Sequence, residues 1–247
     1  MIGSRYIAAV LFVLSATGSV FAKNDSLVNQ IFKMIYNEQY EQAELVLSND
    51  NYQIDSFYAD ILKIDLSWWK FVRLENNSNS KQLIELVENF GEADSTCTSG
   101  KIKRLIAKSY LIRFELHRYN LIKAALIRAD IKRLLGEIRK EEFHYPRNRM
   151  ELFYLYDTLF VYFENLINPF FSEQKRYLRD DALAALQRFT TADDLIVKTL
   201  ACYFTGKIYM NIEKEPDKGL QCFRFLSDEF PQNMLFDELL TDCRQKM

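Results

Sequence analysis

The side chains able to do chemistry are few and widely spaced. The 247-residue chain has two histidines, His117 and His144, and four cysteines, Cys97, Cys202, Cys222 and Cys243. No HExxH, GxSxG, P-loop or GxGxxG pattern occurs, so the common zinc, serine-nucleophile and nucleotide-binding layouts are missing. His117 stands beside Arg118 at an expected helix end, where an imidazole can meet the last carbonyls. His144 falls in the loop HYPRN. Acidic pairs occur at Asp180-Asp181 and Asp193-Asp194, the second opening a helix, where carboxylates favour the positive end of the dipole. A paired-carboxylate hydrolase needs two acids facing each other across a cleft, and nothing in these spacings proposes one. The expectation is a protein that is not an enzyme, with no catalytic residue, no cofactor and no metal ligand.

The cysteines depend on compartment. Arg5, the apolar run Tyr6–Leu14 (YIAAVLFVL), and Val20-Phe21-Ala22 before Lys23 follow the three-part layout of a signal peptide cut near Ala22. The run falls far short of the ~20 residues of a spanning helix. Residues 1–22 are therefore read as a signal peptide and 23–247 as the mature domain, with no transmembrane span and a periplasmic or secreted location. An even number of cysteines in an oxidising compartment admits a disulfide among Cys202, Cys222 and Cys243. It equally admits four free thiols packed as small core residues.

The composition is 49% hydrophobic with 7 Gly and 4 Pro, too few for a turn-rich β protein. Apolar residues recur at three- and four-residue spacing almost throughout, which predicts an all-α chain. Expected helices run 25–37, 39–49, 53–75, 80–90, 100–118, 120–140, 148–168, 173–188, 192–213, 217–229 and 233–245, with Pro146, Pro169, Pro216 and Pro231 as breakers. NNSNS at 76–80 and GEADSTCTSG at 91–100 read as connectors. The first helices of successive pairs begin near 53, 100, 148 and 192, a recurrence of 40-odd residues that marks an α-solenoid.

Residues 201–233 carry this further. Gly206 and Tyr209 on one helix, then Gly219, Phe223 and Pro231 on and after the next, resemble a tetratricopeptide repeat; Leu226 departs from it where a small residue is usual. Tyr40 and Ala43 repeat part of the pattern near the N-terminus. The resemblance implies a right-handed α-solenoid of about five helical hairpins with a C-terminal capping helix. It also implies a scaffold that holds a protein partner in a concave groove lined by the first helix of each pair.

Three features could serve binding. Residues 101–140 hold 12 basic and 3 acidic side chains, among them Arg104, Lys108 and Arg113, a cationic band fit for an acidic partner. An aromatic helix carries Tyr154 and Tyr156. Trp68-Trp69 is an adjacent pair of which one is expected to pack and the other to remain partly exposed. Trp68, Trp69, Arg104, Lys108, Arg113, Tyr154 and Tyr156 are thus the candidate contacts for a protein partner in a bacterial cell envelope. The alternative is a small-ligand or glycan-binding helical protein that uses exposed aromatics as stacking platforms. A pI near 5.9 and the lack of a recognition motif argue against nucleic acid.

Overall fold

A computed structural model describes residues 26–49, 52–74, 77–92, 97–141, 147–167 and 173–247. They form eleven α-helices, and no strand occurs among the described residues. In chain order these are α1 (26–36), α2 (Tyr40–Leu47), α3 (Ser56–Leu74), α4 (Asn77–Glu92), α5 (Thr98–His117) and α6 (Leu121–Ile138). There follow α7 (Arg147–Ile167), α8 (Glu173–Phe189), α9 (Leu195–Ile208), α10 (Pro216–Glu229) and α11 (Met234–Gln245). A π turn, Tyr209–Glu213, extends α9 toward α10. The stretch read as a signal peptide lies outside the described residues, as does His144.

The helix boundaries follow local chemistry. Asp194 caps α9, its carboxylate accepting from the Val197 amide at 3.0 Å, so the helix starts later than residue 192. Cys97 does the same for α5 through its sulfur, which accepts from the Gly100 amide at 3.3 Å. The NNSNS segment is largely helix rather than connector: Asn and Ser favour first turns, and α4 begins at Asn77. Likewise α4 runs on to Glu92, shortening the expected loop before α5.

The turn after α5 is a Schellman motif. The Asn120 amide donates to the Glu115 carbonyl at 2.9 Å and the Tyr119 amide to Leu116 at 3.0 Å, with Tyr119 left-handed at φ 58°. The turn after α1 repeats it: Gln39 donates to Met34, Glu38 to Ile35, and Glu38 is left-handed at φ 62°. Lys214, after the π turn, is the third such residue, at φ 59°.

Consecutive helices pack as antiparallel neighbours from α3 through α11, except that α6 and α7 stand apart along most of their length. They are joined instead by the ion pairs Arg128–Glu164 and Arg139–Asp157. The helices α3, α5, α7 and α9 also neighbour one another in that order.

The first and last of the described helices meet. The rings of Phe32 and Tyr36 on α1 pack against Phe230, and Tyr36 lies 5.1 Å from Trp69. Phe236 on α11 closes the cluster edge-on against Trp69 at 5.8 Å. Tilted and edge-to-face rings at these separations are the favoured aromatic geometries. At the rim, Lys33 and Glu229 form an ion pair at 2.6 Å. Helices α1, α3 and α11, with Phe230 just after α10, thereby share one aromatic core.

Candidate functional site

The closed interior contains a polar cluster. Asp65 on α3 is buried and accepts a hydrogen bond from the Tyr110 hydroxyl on α5. One turn on, Arg113 donates from Nε to the Ser109 carbonyl at 3.1 Å. Its guanidinium lies 3.9 Å from the Tyr110 ring centre, 4.7 Å from Trp68 and 5.3 Å from Phe204. Cation–π attraction of this kind holds an arginine in place without a carboxylate. The Nη2 atom of Arg113 is shielded from solvent and has no hydrogen-bond partner.

Burial governs the protons here. It raises the Asp65 carboxyl to about 6, although the Tyr110 hydrogen bond and the Arg113 charge both pull it down. Burial likewise pushes Tyr156 up to about 12, with the Arg113 charge opposing and the Asp65 charge adding to it. Tyr36 and Tyr110 are also raised by burial, with Asp65 contributing.

A cavity of about 220 Å³ adjoins the cluster, between α5, α6, α7 and α9 where α6 stands off α7. Its wall is apolar, with Ile112, Leu159, Phe160 and Phe163, and Arg113 and Tyr156 face it from the interior. Arg128 and Glu164 line it as well and are ion-paired to each other.

The sequence candidates separate into three groups. Trp68, Arg113 and Tyr156 converge on this interior, and Trp69 joins the aromatic cluster below it. Trp69 and Tyr156 are 3% and 4% exposed, so neither offers its ring to a surface partner: Trp69 packs against Tyr36 and Phe236, and Tyr156 lies in the Asp65–Tyr110–Arg113 cluster. Lys108 is ion-paired with Asp130 at 2.8 Å on the next helix. Arg104 is partly buried, with its Nε shielded and unpartnered. Tyr154 is exposed and touches the Phe153 ring. The cationic band is largely neutralised. Lys101, Lys103, Lys108, Lys123, Arg128, Arg133 and Arg139 each meet a carboxylate.

Five exposed apolar residues gather at one turn, between basic side chains. Leu116, Tyr119, Leu121, Ile122 and Leu126 surround the turn between α5 and α6 and are 48–88% exposed. Ala125 and Ala129 continue the face along α6. The opposite face of α6 is buried through Ala124, Ile127, Ile131, Leu134, Leu135 and Ile138. A helix apolar on two faces, one of them exposed, has a surface left to cover. Arg118 and Lys132 border it and form no ion pair among the described residues. The signal was present in LIKAALIRA, which has more apolar residues than one core stripe requires.

Compared with known proteins, the chain matches no family model, no curated protein and no solved structure. Among the described residues no helix is long and apolar enough to cross a membrane, and no group of three or more His, Cys, Asp or Glu could hold a metal ion.

Proposed function

We propose that this chain is an exported, non-enzymatic adaptor of tetratricopeptide-like build: a solenoid of about five hairpins capped by α11, closed on itself by α1, that docks a protein partner of the cell envelope. The recurrent left-handed turn residues Glu38, Tyr119 and Lys214, and the ordered row α3, α5, α7 and α9, support the repeat reading. The signal-peptide layout of residues 1–22 supports export to the periplasm or beyond.

The rings of Tyr36, Trp69 and Phe236 are buried against one another, so they do not supply the docking face of this reading. The observation that carries the reading is the exposed apolar face of the α5–α6 turn, with Tyr119 88% and Ile122 80% accessible. Its unpaired border cations, Arg118 and Lys132, fit a partner with an apolar patch and an acidic rim. The test compares residues 23–247 with the double variant Ile122→Asp, Leu126→Asp. The adaptor reading expects a partner that binds the purified wild type at 1:1, weakens with added salt, and loses at least tenfold in affinity for the variant. Equal affinity for both proteins would remove this face from the proposal.

A further inference from the structure

We infer that the segment docking on the α5–α6 face places one phenylalanine or leucine side chain in the cavity between α5, α6, α7 and α9, with acidic side chains on either side of it. This rests on the adaptor reading and names the chemistry of its partner.

The cavity and the docking face are continuous. Leu116 is 48% exposed next to the α5–α6 turn, and the same side chain lines the cavity. From Leu116 the wall runs inward through Ile112, one turn back on α5, to Ile131 on α6 and to Leu159, Phe160 and Phe163 on α7. Ala125 and Ala129, exposed on α6, are short enough for the backbone of a docked segment to come close.

The wall selects what enters. It is almost wholly apolar, and its polar members are engaged: Arg128 with Glu164, and Arg113 with the Ser109 carbonyl and the surrounding rings. A lysine, glutamine or glutamate inserted here would leave water and find no free partner. A hydrocarbon side chain bears no such cost and gains the contacts that an empty cavity lacks. An apolar cavity of about 150 Å³ holds benzene, so one of about 220 Å³ has room for the side chain of phenylalanine or leucine. Phe160, Phe163 and Phe204 offer their rings to the former. A bulky anchor seated in a pocket is where interface energy concentrates.

Cations flank the cavity. Arg118 follows Leu116 by two residues, at the end of α5. Lys132 lines a second depression, which shares Phe160 and Glu164 with the cavity. Neither forms an ion pair among the described residues, whereas Arg139 in that depression is paired with Asp157. Aspartate or glutamate beside the anchor therefore meets an open cation on each flank.

Two probes test this on residues 23–247: toluene, which copies the phenylalanine side chain, and a displayed library of random peptides. Toluene should bind once per chain and shift the methyl resonances of Ile112, Leu116 and Leu159. Selected peptides should carry a phenylalanine or leucine beside aspartate or glutamate, lose at least tenfold in affinity when that residue becomes alanine, and be displaced by toluene. Ile112→Trp, at a partly buried wall position, fills the cavity and should weaken both probes at least tenfold. Toluene competition on the wild type answers the same question should that variant fail to fold. A wild type that binds no toluene would overturn the inference, as would a selection that yields no such peptide. Peptides lost by Ile122→Asp, Leu126→Asp but indifferent to toluene and to Ile112→Trp would overturn the anchor and leave the docking face standing. Peptides indifferent to all three would overturn both.

Discussion

The Asn233 side-chain amide donates a hydrogen bond to the Tyr36 backbone carbonyl at 2.7 Å, joining positions 197 residues apart. Tyr36 ends α1, where a carbonyl has no partner within its helix, and Asn233 caps α11 from a buried position. The side chain of the residue at the N-cap position of the last helix therefore satisfies the end of the first, without bonding the first amides of its own helix. Beside it, the Gln232 amide donates to the Asn37 side-chain oxygen at 3.1 Å. These polar contacts give the aromatic closure its register, which ring packing alone would leave free to slide.

Asn233→Ala should therefore act on the whole molecule. It leaves the Tyr36 carbonyl buried without a partner, at a cost of about 1–3 kcal/mol. For a chain of this size, at about 2–4 °C per kcal/mol, that lowers Tm by about 2–12 °C. A melt followed by circular dichroism should stay a single transition, because the first and last helices share one core. A separate early transition would show that α1 and α2 detach independently.

Asp65 predicts a pH dependence of definite sign. Its carboxyl, ordinarily near 3.8, is raised to about 6 in the folded chain, so the folded state holds the proton more tightly than the unfolded one. The stability this supplies is complete below about pH 4 and is lost as pH rises toward 6. Asp65→Asn imitates the protonated form and keeps an oxygen for the Tyr110 hydroxyl. Urea unfolding should find the variant equal to wild type near pH 4 and more stable by up to about 3 kcal/mol at pH 7.5. A variant less stable at pH 7.5 would instead make the Asp65 charge the counter-ion of Arg113.

How much of this was legible depends on the range of the interaction. Helices such as α3, α5, α7 and α9 are written in local apolar spacing, and breakers such as Pro216, the first residue of α10, mark their limits. The closure is not, because Phe32, Tyr36, Phe230 and Phe236 are core-type residues in any helix, and no local period says that they meet. Arg113 looked like one of twelve solvated cations; only the rings of Trp68, Tyr110 and Phe204 in space show that it faces inward. The outer face of α6 was readable as excess apolar residues, but the interleaved Lys123 and Arg128 drew the reading toward charge.

The glycines test the close approach of α9 and α10 directly. A Cβ on Gly206 would stand 2.9 Å from the ring of Phe223, which is fully buried, and one on Gly219 would stand 3.0 Å from the Gly206 carbonyl oxygen. Gly206→Ala and Gly219→Ala should each cost about 1–3 kcal/mol, since backbone and ring must move apart. Gly136, within α6, has nothing within 4 Å of the same position. Gly136→Ala should stabilise by about 1 kcal/mol through helix propensity. Differential scanning calorimetry should order the proteins with Gly136→Ala above wild type and the other two below; equal effects at all three sites would refute close approach of α9 and α10.

The thiols offer the last test. Cys202, Cys222 and Cys243 are buried thiols, and Cys97 is partly exposed at the start of α5. The hydrogen bond with Cys222, together with burial, holds Cys202 protonated well above the usual thiol range, and a protonated buried thiol is a poor nucleophile. Ellman's reagent should therefore label Cys97 first in the native protein, with the other three reacting only as fast as the chain opens. In guanidinium all four should react. Two thiols rather than four in guanidinium, restored to four by prior reduction, would show that two of the cysteines had joined in a disulfide, with Cys202 and Cys222 the pair already in contact.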